Sequence, residues 1–220
     1  YSVYSPIAVK GALFDAPAEV SGSGESSSTS IPVSFGYTGS YAAAAHGLEP
    51  ATVTSDVVVQ DPDQSFDPND GFSNVHQFNL SGAAYFRIAM PPESVANSAI
   101  DLDIFVYDPN GVQVASSTSG ATNEQVDLSA PMDGTWSVYV HGWQTAGPSA
   151  AYDMYSWVVS ATPGGNMAID SAPASATNAT VGTVDVSWTG ATAGQWHLGA
   201  VSHTGDSGLM GLTLVNVDNR

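Results

Sequence analysis

The chain has no cysteine among its 220 residues, which removes disulfides, thiolate nucleophiles and thiolate metal sites together. Positive charge is nearly as scarce. Three Lys and Arg stand against 21 Asp and Glu, a formal charge of −18. A field of that sign repels phosphate backbones and anionic lipid headgroups, so nucleic acid and membrane surfaces are disfavoured as partners. The same field attracts divalent cations, and calcium is the one an oxygen-rich protein takes. No apolar run approaches the ~20 residues of a membrane-spanning helix, and no signal peptide is visible. No stretch of three helical turns carries an amphipathic period. Lack of Cys with abundant Ser, Thr and Gly points to an exported, extracellular protein. The chain opens Tyr-Ser-Val-Tyr without an initiator Met, and we expect it to be part of a longer precursor.

What is present is a β pattern. Hydrophobic residues at 43% with 11% charged describe a folded chain, long enough for one large or two smaller β domains. Residues 101–143 are the clearest block, reading as DLDIFVYDPNG, VQVASS, NEQVDLSAPMDG and TWSVYVHGW. Trp136, Val138 and Val140 alternate with Ser137, Tyr139 and His141, a period of two that means strand. Asp108-Pro109-Asn110-Gly111 and Pro131-Met132-Asp133-Gly134 are turn sequences. Further strands are expected at 1–10, 31–39, 51–61, 75–80, 83–90 and 150–160, and four more after the breaker Thr162-Pro163-Gly164-Gly165. The four alanines at 42–45 favour helix by propensity, but about one turn closed by His46-Gly47 is too short a nucleus. Residues 15–30, rich in Gly and Ser, read as a connector.

The run HQF, YFRIAM, DLDIFVYDPNG, ASS and NEQVDLSAPMDGTWSVYVHGW resembles the bacterial pre-peptidase C-terminal domain, a β jelly roll appended to secreted peptidases. SPIAVK at 5–10 resembles the final strand of the fibronectin type III-like domain that follows the catalytic domain of subtilisin-like proteases. Residues 186–218 are similar to the terminal β segment of the same long bacterial subtilases. The resemblance implies a non-catalytic C-terminal region of a secreted subtilisin-like serine protease, its partner being the catalytic domain. That family's catalytic Asp, His and Ser motifs have no counterpart here.

The architecture expected is all-β, two β-sandwiches. Residues 1–15 would end a preceding fibronectin type III-like domain, and 63–162 would form the jelly roll. Residues 16–62 and 163–220 would form a discontinuous immunoglobulin-like sandwich, since four short strands alone bury little.

Three groups of residues offer chemistry. The acidic loop presents Asp61, Asp63, Asp67 and Asp70, which could hold calcium; the spacing is not that of an EF-hand, and the alternative is a solvated linker. Asp101 and Asp103 share one strand face and could bind a cation or act as an acid/base pair; alternatively they hydrogen-bond turn amides and pin the strand end. Tyr139, His141 and Trp143, extended by Trp157 and Tyr155, form an aromatic row suited to docking a peptide or polysaccharide, unless both faces of that sheet are covered. Gly205-Asp206-Ser207-Gly208, with His203 nearby, spells a serine-protease nucleophile segment, but Asp, Ser and Gly are also what a turn requires. Trp188 and Trp196 read as core, and His46, His76 and His197 lack ligand spacing. The function expected is an accessory module that stabilises a protease or brings it protein substrate. The rivals are a carbohydrate- or cell-surface-binding module and a hydrolase using the carboxylates or Ser207.

Overall fold

The computed structural model describes residues 13–220, and its regular structure is almost wholly strand. Eight consecutive strands make one sandwich: β5 (Thr52–Val59), β6 (Ser73–Leu80), β7 (Ala83–Met90), β8 (Asp101–Tyr107), β9 (Gln113–Ser117), β10 (Glu124–Ser129), β11 (Gly134–Gln144) and β12 (Ser149–Ser160). They order as β10-β7-β12-β5 in one sheet and β6-β11-β8-β9 in the other. Successive strands switch sheets at every step except the β8–β9 hairpin, which is the jelly-roll winding. Its turn is the expected one: the Gly111 amide donates to the Asp108 carbonyl and the Asp108 amide to that of Val112. Ser81-Gly82 and Pro131–Gly134 do not close hairpins; each carries the chain from one sheet to the other.

The first strand of this sandwich is where expectation and structure part. Residues 52–59 lay within the immunoglobulin-like segment by sequence, but β5 pairs with β12 from Ser149↔Val59 to Ser156↔Thr52 and completes the jelly roll. The physical reason is an open edge: without β5, β12 would expose a full row of unpaired amides.

The second sandwich is assembled from both ends of the chain. It contains β1 (Phe14–Asp15), β2 (Glu19–Gly22), β3 (Ser27–Phe35) and β4 (Gly39–Pro50), then β13 (Met167–Ser171), β14 (Ser175–Ala176), β15 (Thr180–Trp188), β16 (Trp196–Gly205) and β17 (Gly208–Asp218). The sheets run β1-β3-β15-β13 and β14-β4-β16-β17-β2. The fibronectin-like strand expected at 1–10 lies outside the described residues, while Phe14 and Asp15 pair with Phe35 and Ser34 and so belong to this sandwich. The Gly/Ser connector is largely strand: β2 runs parallel to β17, and β3 spans nine residues against β15. Gly22 is required there, since a Cβ would sit 2.3 Å from the Trp188 ring. The four alanines lie within β4, held by β16 along one edge and β14 at the other.

Two sandwich cores are distinct, one around Phe86, Leu102, Ile104, Trp136 and Val138, the other around Ile31, Val33, Val184, Val186 and Trp188. A third cluster joins them. The outer face of β7 and β12 (Tyr85, Ala89, Tyr155, Trp157, Val159) packs on the outer face of β16 and β17 (Trp196, Leu198, Ala200, Leu212, Leu214). Four sheets therefore stack in one body, and β16 is buried on both faces from His197 to His203.

One consequence concerns acid. His203 is fully buried; its Nδ1 lies 2.7 Å from the Tyr41 hydroxyl and its Nε2 3.0 Å from Thr213 Oγ1, with the Phe14 ring 5.0 Å away. Burial pushes its pKa down from the ordinary 6.5 to about 4. The unfolded chain therefore takes up this proton before the folded one does. The stabilisation is complete above pH ~6.5 and declines as pH falls toward ~4, a loss of about 2 kcal/mol between pH 7 and pH 5. Urea unfolding at the two pH values should show this decrement, and His203→Gln should shrink it.

Candidate functional site

The site is built on the outer face of β11 and its neighbour β8. Trp136, Val138 and Val140 point into the core, as the alternation requires, so Tyr139 and His141 point outward. They do not stand free. The loop between β5 and β6 folds back over them, placing the Phe66 ring 3.7 Å from that of Phe105 at 5° and 5.7 Å from both Tyr139 and His141. A bulge near the end of β11 lets this loop approach: Gly142 lies so close to the Val59 carbonyl that a Cβ would stand 2.0 Å from its oxygen. Trp143 remains 38% exposed at the rim.

Three residues of the expected aromatic row are therefore elsewhere in role, Tyr155 lying with Trp157 in the seam between the sandwiches. His141 is fully buried, its Nε2 2.8 Å from Asp61 Oδ2. Trp157 is 2% exposed and lies on the other sheet, at the seam between the sandwiches, its ring 4.6 Å from Trp196. The aromatics left at the surface are Tyr139, Tyr107 (5.3 Å apart, edge to face), Phe66 and Trp143.

The acidic loop does not gather its carboxylates on one point. Asp61 accepts from the amides of Asp63 and Ser65, Asp63 from Ser65, Asp67 from Asn69, and Asp70 from Phe72. Each side chain closes its own turn, the local bonding Asp favours. Asp61 alone does more, through His141. Burial by itself would raise the Asp61 pKa, but the bonds from His141 and the two amides outweigh it and lower it. On His141, burial likewise works against charge, and Asp103 and Asp61 together overcome it and raise the pKa. The contact between His141 and Asp61 locks the loop to the sheet.

Carboxylates converge instead at the start of β8. Asp101, Asp103 and Glu124 each bring an oxygen within 4.8 Å of the others. Asp101 and Asp103 share a face by the period of the strand; Glu124 arrives from the edge of the opposite sheet. Thr122 holds it there, its Oγ1 accepting from the Leu102 amide at 3.1 Å and donating to the Ile100 carbonyl at 3.0 Å. Glu124 also accepts from the Ser119 amide at 2.9 Å and from the Ser117 and Ser119 hydroxyls. Turn amides do not take up Asp101 and Asp103 among the described residues, and Asp101 Oδ1 is buried without a partner. Burial first, then Asp103 and Glu124, pushes the Asp101 pKa up to about 6. The sequence carried a sign of Glu124: it falls on the apolar side of Glu124, Val126 and Leu128, where a charge is out of place. Chemically, the cluster can hold a cation.

The Gly205–Gly208 segment is a turn. It joins β16 to β17 with Gly205 opposite Gly208, Asp206 binds the Ser40 amide and hydroxyl, and both ring nitrogens of His203 are engaged elsewhere.

Residues 72–142 match the bacterial pre-peptidase C-terminal domain family. Among solved structures, the chain is similar to the pre-peptidase C-terminal domain of collagenase from Bacillus anthracis, with 14% identity, 49% of this chain and 89% of that one covered, and a TM-score of 0.36. It is similar also to the Glycosylation Associate Protein (Gap123) complex from Streptococcus agalactiae (8% identity, 61% and 39% covered, TM-score 0.23). A third likeness is to tripeptidyl peptidase 2 (8% identity, 88% and 19% covered, TM-score 0.30). The matched family segment runs from the end of the acidic loop through β11, so it contains Asp101, Asp103, Glu124 and His141.

Proposed function

We propose that this chain is a non-catalytic accessory region of a secreted bacterial peptidase, and that it holds protein substrate near the catalytic domain. The observation that carries this reading is the match of residues 72–142 to a domain described as C-terminal to peptidases. The parent we propose is a subtilisin-like serine protease, a reading supported by the resemblance of residues 186–218 to the terminal segment of long subtilases. Tethering a weak contact surface to an enzyme raises the local substrate concentration without altering the chemistry.

The contact surface we assign is the aromatic patch of Phe66, Tyr107, Tyr139 and Trp143. Large amphipathic rings supply contact area at low entropic cost. The −18 charge argues against nucleic acid and anionic membranes as partners, and no helix among the described residues is long and apolar enough to cross a membrane. The test is co-sedimentation of the purified chain with insoluble collagen or casein on one side and with chitin or cellulose on the other. Retention on the protein fibres alone is expected. Retention on the polysaccharides alone would replace this reading with a carbohydrate-binding module, which could use the same rings.

A further inference from the structure

Asp101 and Asp103 line a cavity of about 430 Å³ walled also by Phe66, Phe105, His141 and Trp143, and Glu124 brings an oxygen within 4.8 Å of theirs. The two arginines of the described residues are committed elsewhere, Arg87 to Asp127 and Glu19, Arg220 to Asp218 and Glu93. His141 supplies a second and independent sign. It is fully buried, its Nε2 is occupied by Asp61, and its Nδ1 is buried without a hydrogen-bond partner. That nitrogen faces Asp103 Oδ2 at 3.6 Å, too long for a hydrogen bond. Two donors, each about 2.1–2.4 Å from one shared ion, stand roughly 3.0–3.9 Å apart at angles of about 90–110°. The Asp61–His141 pair has the form of a carboxylate that orients a ligating imidazole from behind.

We propose that Asp101, Asp103 and Glu124, closed on one side by Nδ1 of His141, bind a divalent metal ion. Three carboxylates supply oxygen ligands for calcium, with water completing the six to eight it takes, and the imidazole adds an ion of the zinc type. An ion here ties β8, on one sheet, to β10, on the other, and fixes the loop at 117–121 through Glu124. The inference goes beyond the accessory reading and does not depend on it, since fibre retention can fail while the ion still binds.

The experiment is calorimetric titration of the chelator-treated chain with Ca²⁺ and, separately, Zn²⁺. Tb³⁺ serves as a third probe, because Trp143 on the cavity wall can sensitise its emission. One ion per chain is expected, with affinity at least tenfold weaker in Asp103→Asn and in Glu124→Gln. Circular dichroism establishes that each variant folds; if Glu124→Gln does not, Asp101→Asn, nearer the surface, takes its place. His141→Gln sorts the ions: loss of zinc binding with calcium binding retained assigns calcium to the carboxylates alone, and loss of both makes the imidazole a ligand for each. Absence of saturable binding by all three ions overturns the proposal. Binding of unchanged strength in the carboxamide variants overturns it equally.

Discussion

Trp157→Ala should lower the unfolding free energy by about 3–5 kcal/mol, the range for removing a buried Trp. The ring is 2% exposed and meets Trp196 edge to face at 4.6 Å, while its Nε1–H donates to the Trp196 carbonyl at 3.2 Å. Neither sandwich core contains it; its contacts lie in the seam between them. The loss should therefore appear in a particular way. In calorimetry the wild-type chain should unfold as one transition, because Trp157, Leu198, Ala200 and Leu214 couple the two sandwiches, and the variant should split into two. Limited proteolysis should show new cleavage where the chain passes between the sandwiches, near 51 and 161–166. A variant that keeps a single transition and loses less than ~1 kcal/mol would mean that the seam contributes little beyond contact.

Arg87→Met should cost about 3 kcal/mol, for a different reason. Arg87 lies on β7, 3% exposed, and its guanidinium grips Asp127 of the same sheet at 2.6 and 3.2 Å. It also reaches Glu19 of the other sandwich at 2.7 Å. In a chain this acidic, it is the cation at the seam that both carboxylates need. Removing it leaves Asp127 and Glu19 with only the neutral donors Gln125 and Asn216, and breaking a buried pair costs about 3–5 kcal/mol. The carboxylates are each 31% exposed, so water takes part of the load and the low end applies. Met keeps most of the aliphatic stem, which isolates the charge effect from packing. Glu19→Gln alone should cost under ~1 kcal/mol, as befits a partly solvated partner. The Arg87→Met decrement, read from urea unfolding, should shrink in concentrated salt as carboxylate repulsion is screened; a decrement unaffected by salt would point to packing.

Strand positions were legible because pleat and burial enforce a period of two. Trp136, Val138 and Val140 against Ser137 and Tyr139 is a pattern that one folded face dictates. Pairing partners were not, because a strand's sequence records which of its faces is buried but not beside whom it lies. Residues 52–59 show this: Val57 is 53% exposed and Val58 fully buried, a readable alternation, yet whether β5 joined β12 or the other sandwich depended on an edge about 90 residues away. Ser and Gly at 19–30 hid β2 and the first half of β3, which rely on pairing and on the close approach of Gly22 to Trp188, whereas the buried Ile31, Val33 and Phe35 made the second half of β3 legible.

The site divided along the same line. Asp101 and Asp103 are neighbours on one strand, so their convergence was visible locally. Glu124 reaches them across the sandwich and His141 across β8–β11 pairing, and long-range register brings both together. Trp157 and His141 looked like surface aromatics because periodicity names a face without saying what covers it. One is covered by the second sandwich, the other by Phe66 and the acidic loop.

The central claim is that the chain acts by contact through the patch around Trp143. It is tested most directly by measuring, on one preparation, retention on insoluble collagen or casein together with turnover of peptide and glycoside substrates. Retention without turnover is predicted, with retention lost in Tyr139→Ala/Trp143→Ala while circular dichroism stays unchanged. Retention undiminished in that double variant, or hydrolysis of either substrate by the chain itself, would contradict it.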